Sequence, residues 1–308
     1  MALELFRFQS TRNPVYAHFM RELRIDPLGV HSLEQIPFLP VEFFKTHKIV
    51  TDPAYAESII FRSSGTTGMQ FSEHILFDLP HYLKVSETIF QSFYGSLEDY
   101  IVLALLPAYL DRPDSSLVAM SDHFVQMAQP GSGFYNKDLE GVAKAIDRAK
   151  KEGKKVFLLG VTFALLDLAE KFELDLSGHI VMETGGMKGR RKEMIREELH
   201  EILTTAFHVE TIHSEYGMTE LLSQGYSKGN GIFDTPPWMR VLLRDPNDPL
   251  TLSTNIMSGG VNVIDLANVD SCAFIATQDL GKRHSNGSFE ILGRFDHVDV
   301  RGCNLLYV

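Results

Sequence analysis

The chain of 308 residues has only two cysteines, Cys272 and Cys303. That scarcity argues against a disulfide framework and against a cysteine-built zinc site. No secretory leader is expected, because Met1-Ala2-Leu3-Glu4-Leu5 is not a basic region followed by an apolar core. Long apolar runs are absent. The longest, such as residues 100–106, fall far short of a bilayer span, so no membrane span is expected and the cytoplasm is the expected compartment. Positive charge is in deficit. A formal net charge of -11 argues against nucleic acid as the main partner, although a local basic patch can still hold a phosphate. There is no internal repeat and no low-complexity stretch. What remains is ordinary for a soluble globular protein: 44% apolar and 22% charged residues, in a length that allows one large domain, alone or with a smaller appendage.

Hydrophobic patterning supplies the architecture. Residues 1–50, punctuated by Pro14, Pro27, Pro37 and Pro40, read as a helical lead-in with a short amphipathic helix over 15–23. Strands and helices then alternate: strands at 58–61, 100–106, 156–159, 179–182 and 209–212, and helices at 79–95, 137–151, 163–172 and 190–207. Residues 117–120 fit either element. This order implies an α/β class with a large, mainly parallel sheet layered with helices. Beyond Met239 short strands recur at 239–243, 261–266, 273–277, 288–292 and 298–300, with no long helix. The expected division is 1–238, lead-in and α/β core, and 239–308, a β-rich C-terminal subdomain.

Ligands of open parallel sheets bind beyond the carboxyl ends of the strands. Three polar, glycine-rich loops fall there. In Ser63-Ser64-Gly65-Thr66-Thr67-Gly68 the glycines let successive N–H groups turn toward one anion, and four hydroxyls add donors. That chemistry suits a nucleotide polyphosphate, and the same residues also suit an ordinary turn. Glu183-Thr184-Gly185-Gly186-Met187-Lys188-Gly189 precedes a helix, whose N-terminal amides favour an anion or a polar ring edge; a plain helix start with solvated Lys188, Arg190 and Arg191 is the alternative. In the run from His213 to Glu220, Tyr216 can stack on a purine and a carboxylate can serve Mg²⁺, or Tyr216 is a core anchor and the glutamates are helix-start charges. Later, Asp279 directly follows a strand, where a turn is the usual role, and residues 293–302 mix Arg294 and Arg301 with Asp296 and Asp299. A ribose diol wants an acceptor like Asp279 and a donor like Arg294 together.

The order of these pieces, Ser63 to Gly68, Tyr216 to Glu220, the Asp279 segment and Gly293 to Gly302, resembles the adenylate-forming superfamily of acyl- and aryl-CoA ligases. Within it the chain looks most similar to LuxE-type acyl-protein synthetases of bacterial luminescence, with phenylacetate–CoA ligases as more distant relatives. The resemblance implies an ATP- and Mg²⁺-dependent, AMP-forming ligase that activates a fatty or other carboxylic acid and moves the acyl group to a cysteine, then to a partner protein such as an acyl reductase. Cys303 stands where that cysteine is expected. Carried over by position, Ser63, Ser64, Gly65, Thr66, Thr67 and Gly68 would hold the β- and γ-phosphates, with Thr67 and Glu220 serving the metal. Tyr216 would stack on adenine, with Gly185, Gly186 and Glu215 at its edge. Asp279 and Arg294 would take the ribose hydroxyls, Gly217 and Met218 would border the acyl carboxylate, and Thr219 would approach the α-phosphate.

Two departures qualify the resemblance. No lysine follows Gly68, where Met69-Gln70-Phe71-Ser72 stands instead, and the sequence stops at Val308, without the mobile C-terminal domain and catalytic lysine of CoA ligases. Lys188, Arg190 and Lys282 are the replacement cations by position. The expected core therefore lacks one wall of a CoA tunnel, which favours a protein thiol as acyl acceptor. Transfer of an aryl or acyl group to CoA or a carrier protein is a second reading, and a non-catalytic nucleotide-binding module a third.

Overall fold

The alternation of strand and helix becomes two units in the computed structural model, which describes residues 1–54, 58–63, 71–107, 112, 114–185, 194–246, 248, 250–252 and 257–295. The first unit takes residues 1–82, 218–223 and the chain from 234 onward; the second takes 83–217 and 224–233.

The first unit opens with α1 (Ala2–Arg12), α2 (Pro14–Glu22), β1 (Leu39–Pro40), α3 (Phe43–Thr46), β2 (Ile59–Arg62) and β3 (Glu73–Leu76). α2 starts where it does because the Asn13 side chain accepts from the Val15 and Tyr16 amides and Pro14 needs no donor at the first turn. Phe6 and Tyr16 are wholly buried and pack on Phe274 with ring centroids 5.9 and 6.3 Å away. Buried side-chain amides complete the joint. Gln9 donates to the Asn268 and Val269 carbonyls, each at 2.8 Å, and Asn13 donates to Ser271 at 3.0 Å. The lead-in thus belongs to the same unit as the β-rich strands, a partition different from a break near residue 238. β2 and β3 form an antiparallel hairpin running from Ile59↔Leu76 to Arg62↔Glu73.

The second unit contains α4 (Leu79–Tyr94, entered from the first unit), β4 (Tyr100–Leu105), α5 (Ser116–Met127), β5 (Gly133–Phe134), α6 (Leu139–Lys151), β6 (Lys155–Val161) and α7 (Thr162–Lys171). It continues through β7 (Ile180–Thr184), α8 (Arg196–Phe207), β8 (His213–Tyr216), β9 (Gly225–Ser227) and β10 (Ile232–Asp234). Its strands run in the order β5-β4-β6-β7-β8-β9-β10. The first five are parallel, and β9 returns antiparallel. Every residue of β4 is buried, so both faces of the sheet are covered, which is why this strand reads as an unbroken apolar run. Leu103, Leu158 and Val181 meet Ile146, Leu165 and Leu203 from the helices in one core. Residues 117–120, open to either element in the sequence, lie in α5.

One strand is displaced from its expected position. Residues 209–212 are not a strand; β8 begins at His213. α8 ends on His208 in the left-handed conformation, and the following residues bring the chain back to the sheet. Ser214, Glu215 and Tyr216 consequently stand in the ladder rather than in a loop.

The first unit resumes with the antiparallel strands β11 (Met239–Arg244), β12 (Ser258–Asp265), β13 (Phe274–Arg283) and β14 (Phe289–Arg294). β1 lies parallel beside β13, Leu39 opposite Ile275. β13 runs well past residue 277, where a turn was expected, so Asp279 is a strand residue. The strand expected at 298–300 lies outside the described residues. No helix among the described residues is long and apolar enough to cross a membrane.

Candidate active site

In the first unit the chain makes a tight turn at Met218–Leu221, closed by the Leu221 amide on the Met218 carbonyl at 3.1 Å. Thr219 and Glu220 are its middle residues. Side chains from distant sequence grip this turn. The His74 Nδ1 lies 2.8 Å from the Thr219 carbonyl, and Asn268 Nδ2 donates to the Glu220 carbonyl at 2.9 Å. Asn268 Oδ1 faces His74 Nε2 at 3.3 Å. Burial pushes the His74 ring down to about 4, so it is neutral at physiological pH and its one N–H belongs on Nδ1, facing the carbonyl. Asp265, wholly buried at the end of β12, accepts from the Leu222 and Ser223 amides at 2.8 and 2.9 Å and from the Ser223 hydroxyl at 2.7 Å. Trp238 Nε1 donates to that hydroxyl at 3.0 Å.

The Glu220 carboxyl is buried, and desolvation raises its pKa against the opposing pull of a hydrogen bond from Ser72, the nearby charges of Arg294 and Lys45, and its own amide. Ser72 also ties in Ser63: the Ser63 amide donates to the Ser72 carbonyl at 3.1 Å, and the Ser72 amide donates to Ser63 Oγ at 3.0 Å. The root of the hydroxyl-rich hexamer is therefore joined to Glu220 through one serine. Ser64, Gly65, Thr66, Thr67 and Gly68 lie outside the described residues. Lys45 sits on α3, whose Phe44 packs edge-on against His74 with centroids 5.7 Å apart.

Asp279 and Arg294, separated in sequence, are direct cross-strand partners of β13 and β14. The Arg294 guanidinium donates to the Gln278 side chain. Lys282, one of the replacement cations named from sequence, is 3.6 Å from Glu290 on the same hairpin.

In the second unit, the candidate residues cluster at the carboxyl ends of β7 and β8. Thr184 stands opposite Glu215, and its hydroxyl donates to the Glu215 carboxyl. Burial pushes that carboxyl up to about 7, with the Glu183 charge adding to the rise and the Thr184 bond opposing it. Gly217 has no room for a side chain: a Cβ there would come within 2.2 Å of Glu215 Oε1. Tyr216 ends β8 with its ring mostly buried, edge-on to Phe233 at 6.0 Å, and the Arg196 guanidinium covers Phe233 at 5.3 Å. Gly185 follows β7 with φ +68°, and its carbonyl accepts from Thr162 Oγ1 at 2.8 Å. Buried Glu183 lies 3.7 Å from both Arg196 Nε and His200 Nε2. Gly186, Lys188, Arg190 and Cys303 lie outside the described residues.

Sequence reasoning missed His74, Ser72, Asp265 and Asn268. Two of them carried a signal: His74 stands within Glu73–Leu76 and Asp265 closes the apolar run of β12, and a polar side chain in a buried strand needs partners. Among the described residues no three His, Cys, Asp or Glu side chains converge as a metal cage. The Glu220 carboxyl and the Ser72 hydroxyl bonded to it are hard oxygens, the donor type that Mg²⁺ takes.

No family profile matches the chain. A long-chain-fatty-acid–luciferin-component ligase of Aliivibrio fischeri is 22% identical over 329 residues, spanning 98% of this chain and 85% of that protein. A solved 2-hydroxyisobutyryl-CoA ligase, in complex with 2-HIB-AMP and CoA, superposes with a TM-score of 0.67 over 95% of this chain and 66% of its own, at 13% identity. The chain has the adenylate-forming fold. The O-succinylbenzoate coenzyme A synthetase MenE of Bacillus subtilis, solved with ATP and magnesium, matches with a TM-score of 0.54 and 16% identity over 79% of this chain and 51% of its own. The chain thus spans about half the length of MenE and of the ATP-bound MatB of Rhodopseudomonas palustris.

Proposed function

We propose that this chain is an ATP-dependent, AMP-forming acid ligase that activates a fatty acid as its acyl-adenylate and passes the acyl group to a protein thiol. The carboxylate of the acid attacks the α-phosphorus of ATP, the bond to the β-phosphate breaks, and pyrophosphate leaves. The protein contributes positioning and charge neutralisation rather than covalent work in this step. Ser63, Ser64, Gly65, Thr66, Thr67 and Gly68 hold the β- and γ-phosphates, Thr219 faces the α-phosphate, and Gly217 and Met218 border the acid. Tyr216, Gly185, Gly186 and Glu215 take the base; Asp279 and Arg294 take the ribose. Glu220 and Thr67 would hold Mg²⁺, which when bound would supply positive charge to the phosphates. The Cys303 thiolate then attacks the acyl carbonyl, forming a thioester and releasing AMP, before transfer to an acyl-accepting partner such as a reductase.

The observation that carries this reading is the Ser63–Ser72–Glu220 link, which puts the hydroxyl loop's root against a buried carboxyl that a cation would satisfy. The similarity to a fatty-acid ligase over nearly the whole chain supports the substrate class. A pyrophosphate-exchange screen over aliphatic and aromatic acids tests it. Exchange driven best by long-chain fatty acids is the expected result, and no exchange with any acid contradicts adenylation. ATP binding without exchange would leave a nucleotide-binding module. Retention of hydroxylamine-sensitive acyl label in Cys303→Ser would move the acceptor elsewhere. Transfer to CoA or a carrier protein is the second reading, favoured by a solved neighbour that holds CoA beside an adenylate.

A further inference from the structure

Arg244, the last residue of β11, is buried, with only 8% of its surface exposed. A guanidinium cannot shed its charge, so its burial demands hydrogen-bond acceptors. Nη1 donates to the Val261 carbonyl at 2.7 Å and to Asn262 Oδ1 at 2.8 Å, and Nη2 donates to the Thr277 carbonyl at 2.5 Å. Its outer side lies against the Phe295 ring, 5.3 Å from the centroid. The space it fills was cleared by sequence: a Cβ on Gly260 would meet guanidinium and stem atoms at 2.6–2.9 Å.

These contacts fall on both strands next to one cross-strand pair, Asp279 and Arg294. Thr277 precedes Asp279 by two residues, its hydroxyl donates to the Val261 carbonyl at 3.0 Å, and it accepts the Asp279 amide at 3.1 Å. Phe295 immediately follows Arg294, the register partner of Asp279. The ladder is irregular here, shifting between Gly260 and Asn262 on one side of β13 and between Leu280 and Gly281 on the other. Regular pairing alone therefore does not set where Asp279 stands, and a planar fork that reaches three acceptors and one ring ties the strands beside it together.

We propose that Arg244 is a positioning residue that fixes the Asp279–Arg294 pair at the spacing required to grip the adjacent hydroxyls of a ribose. This rests on the nucleotide reading above and deepens it: Arg244 touches no ligand and acts through the bulged strand. Its loss costs recognition of the diol specifically, whereas a role in stability alone weakens binding of every nucleotide equally.

Equilibrium binding of ATP, 2′-deoxyATP and 3′-deoxyATP, measured calorimetrically with Mg²⁺ on the full chain, separates these cases. The unsubstituted protein is expected to prefer ATP over either deoxynucleotide by roughly tenfold to a hundredfold, the range of one hydrogen bond to a charged group. Arg244→Gln is expected to collapse that preference to within about twofold, with Arg244→Lys recovering part of it, because a point charge reaches fewer of the acceptors. Gly260→Ala displaces the guanidinium without removing it and should erode the preference even if Arg244→Gln does not fold. A preference unchanged in both Arg244→Gln and Gly260→Ala overturns the proposal while leaving the nucleotide reading intact. An unsubstituted protein that binds all three nucleotides alike overturns the ribose assignment and this proposal with it, and one that binds none overturns the nucleotide reading itself.

Discussion

The two units fix their candidate residues by different physics. In the second, the parallel ladder does the positioning: Thr184 meets Glu215 because β7 and β8 pair in that register, and glycine at 217 leaves space for the carboxyl. In the first, little of the positioning is repetitive. Thr219 and Glu220 are held by His74 and Asn268, and Leu222 and Ser223 by Asp265, all buried side chains far away in sequence. A ladder spreads its stabilisation over many similar bonds, whereas a grip of this kind concentrates it in a few side chains. Single substitutions should therefore be far more damaging in the first unit.

Glu220→Gln is expected to have the largest effect on activity, a loss of about a hundredfold or more in pyrophosphate exchange, comparable with removing a charge-stabilising group from an active site. Stability should not fall with it, because the folded protein already favours the uncharged carboxyl. A parallel urea titration checks that separation. Asp265→Ala is expected to have the largest effect on stability, on the order of 3 kcal/mol or more, since several buried donors lose one acceptor together. Denaturant midpoints read it directly. His74→Phe keeps an aromatic ring against Phe44 and leaves the Thr219 carbonyl without its donor, at about 1–3 kcal/mol. A cost near zero would mean that the grip on this turn does not hold it.

The smallest effect belongs to the second unit and appears as a slope. Glu215 binds its proton more tightly in the folded chain, at about 7 against an ordinary 4.5. The stability it contributes is fully present below about pH 4.5 and is lost as the pH rises through 7. Glu215→Gln should flatten that part of the stability–pH profile between pH 4.5 and 7.5. An unchanged slope would show that the folded carboxyl titrates normally.

The same contrast explains what the sequence could disclose. The strand and helix order of the second unit was legible because fully buried parallel strands such as Tyr100–Leu105 are unbroken apolar runs. The displaced strand at 213–216 was not, since Val209, Thr211 and Ile212 are β-branched residues of the kind strands favour but are used to leave the helix. In the first unit the pairing of Asp279 with Arg294 was foreseen as chemistry, while its basis was not: β13 continues through a polar stretch with no apolar alternation to mark it. His74, Asn268 and Asp265 escaped for the same reason. A side chain that bonds a backbone group more than 40 residues away leaves no local pattern. Arg244 fell just beyond the strand expected at 239–243, although Gly260 opposite it recorded the need for space.

Following the oxygen of the acid tests the central claim, attack of a carboxylate on the α-phosphate, most directly. With a long-chain fatty acid labelled with ¹⁸O in its carboxyl group, ATP and Mg²⁺, one labelled oxygen is expected to appear in AMP once the acyl group is released. Label in inorganic phosphate, or AMP formed without label, would contradict adenylate formation.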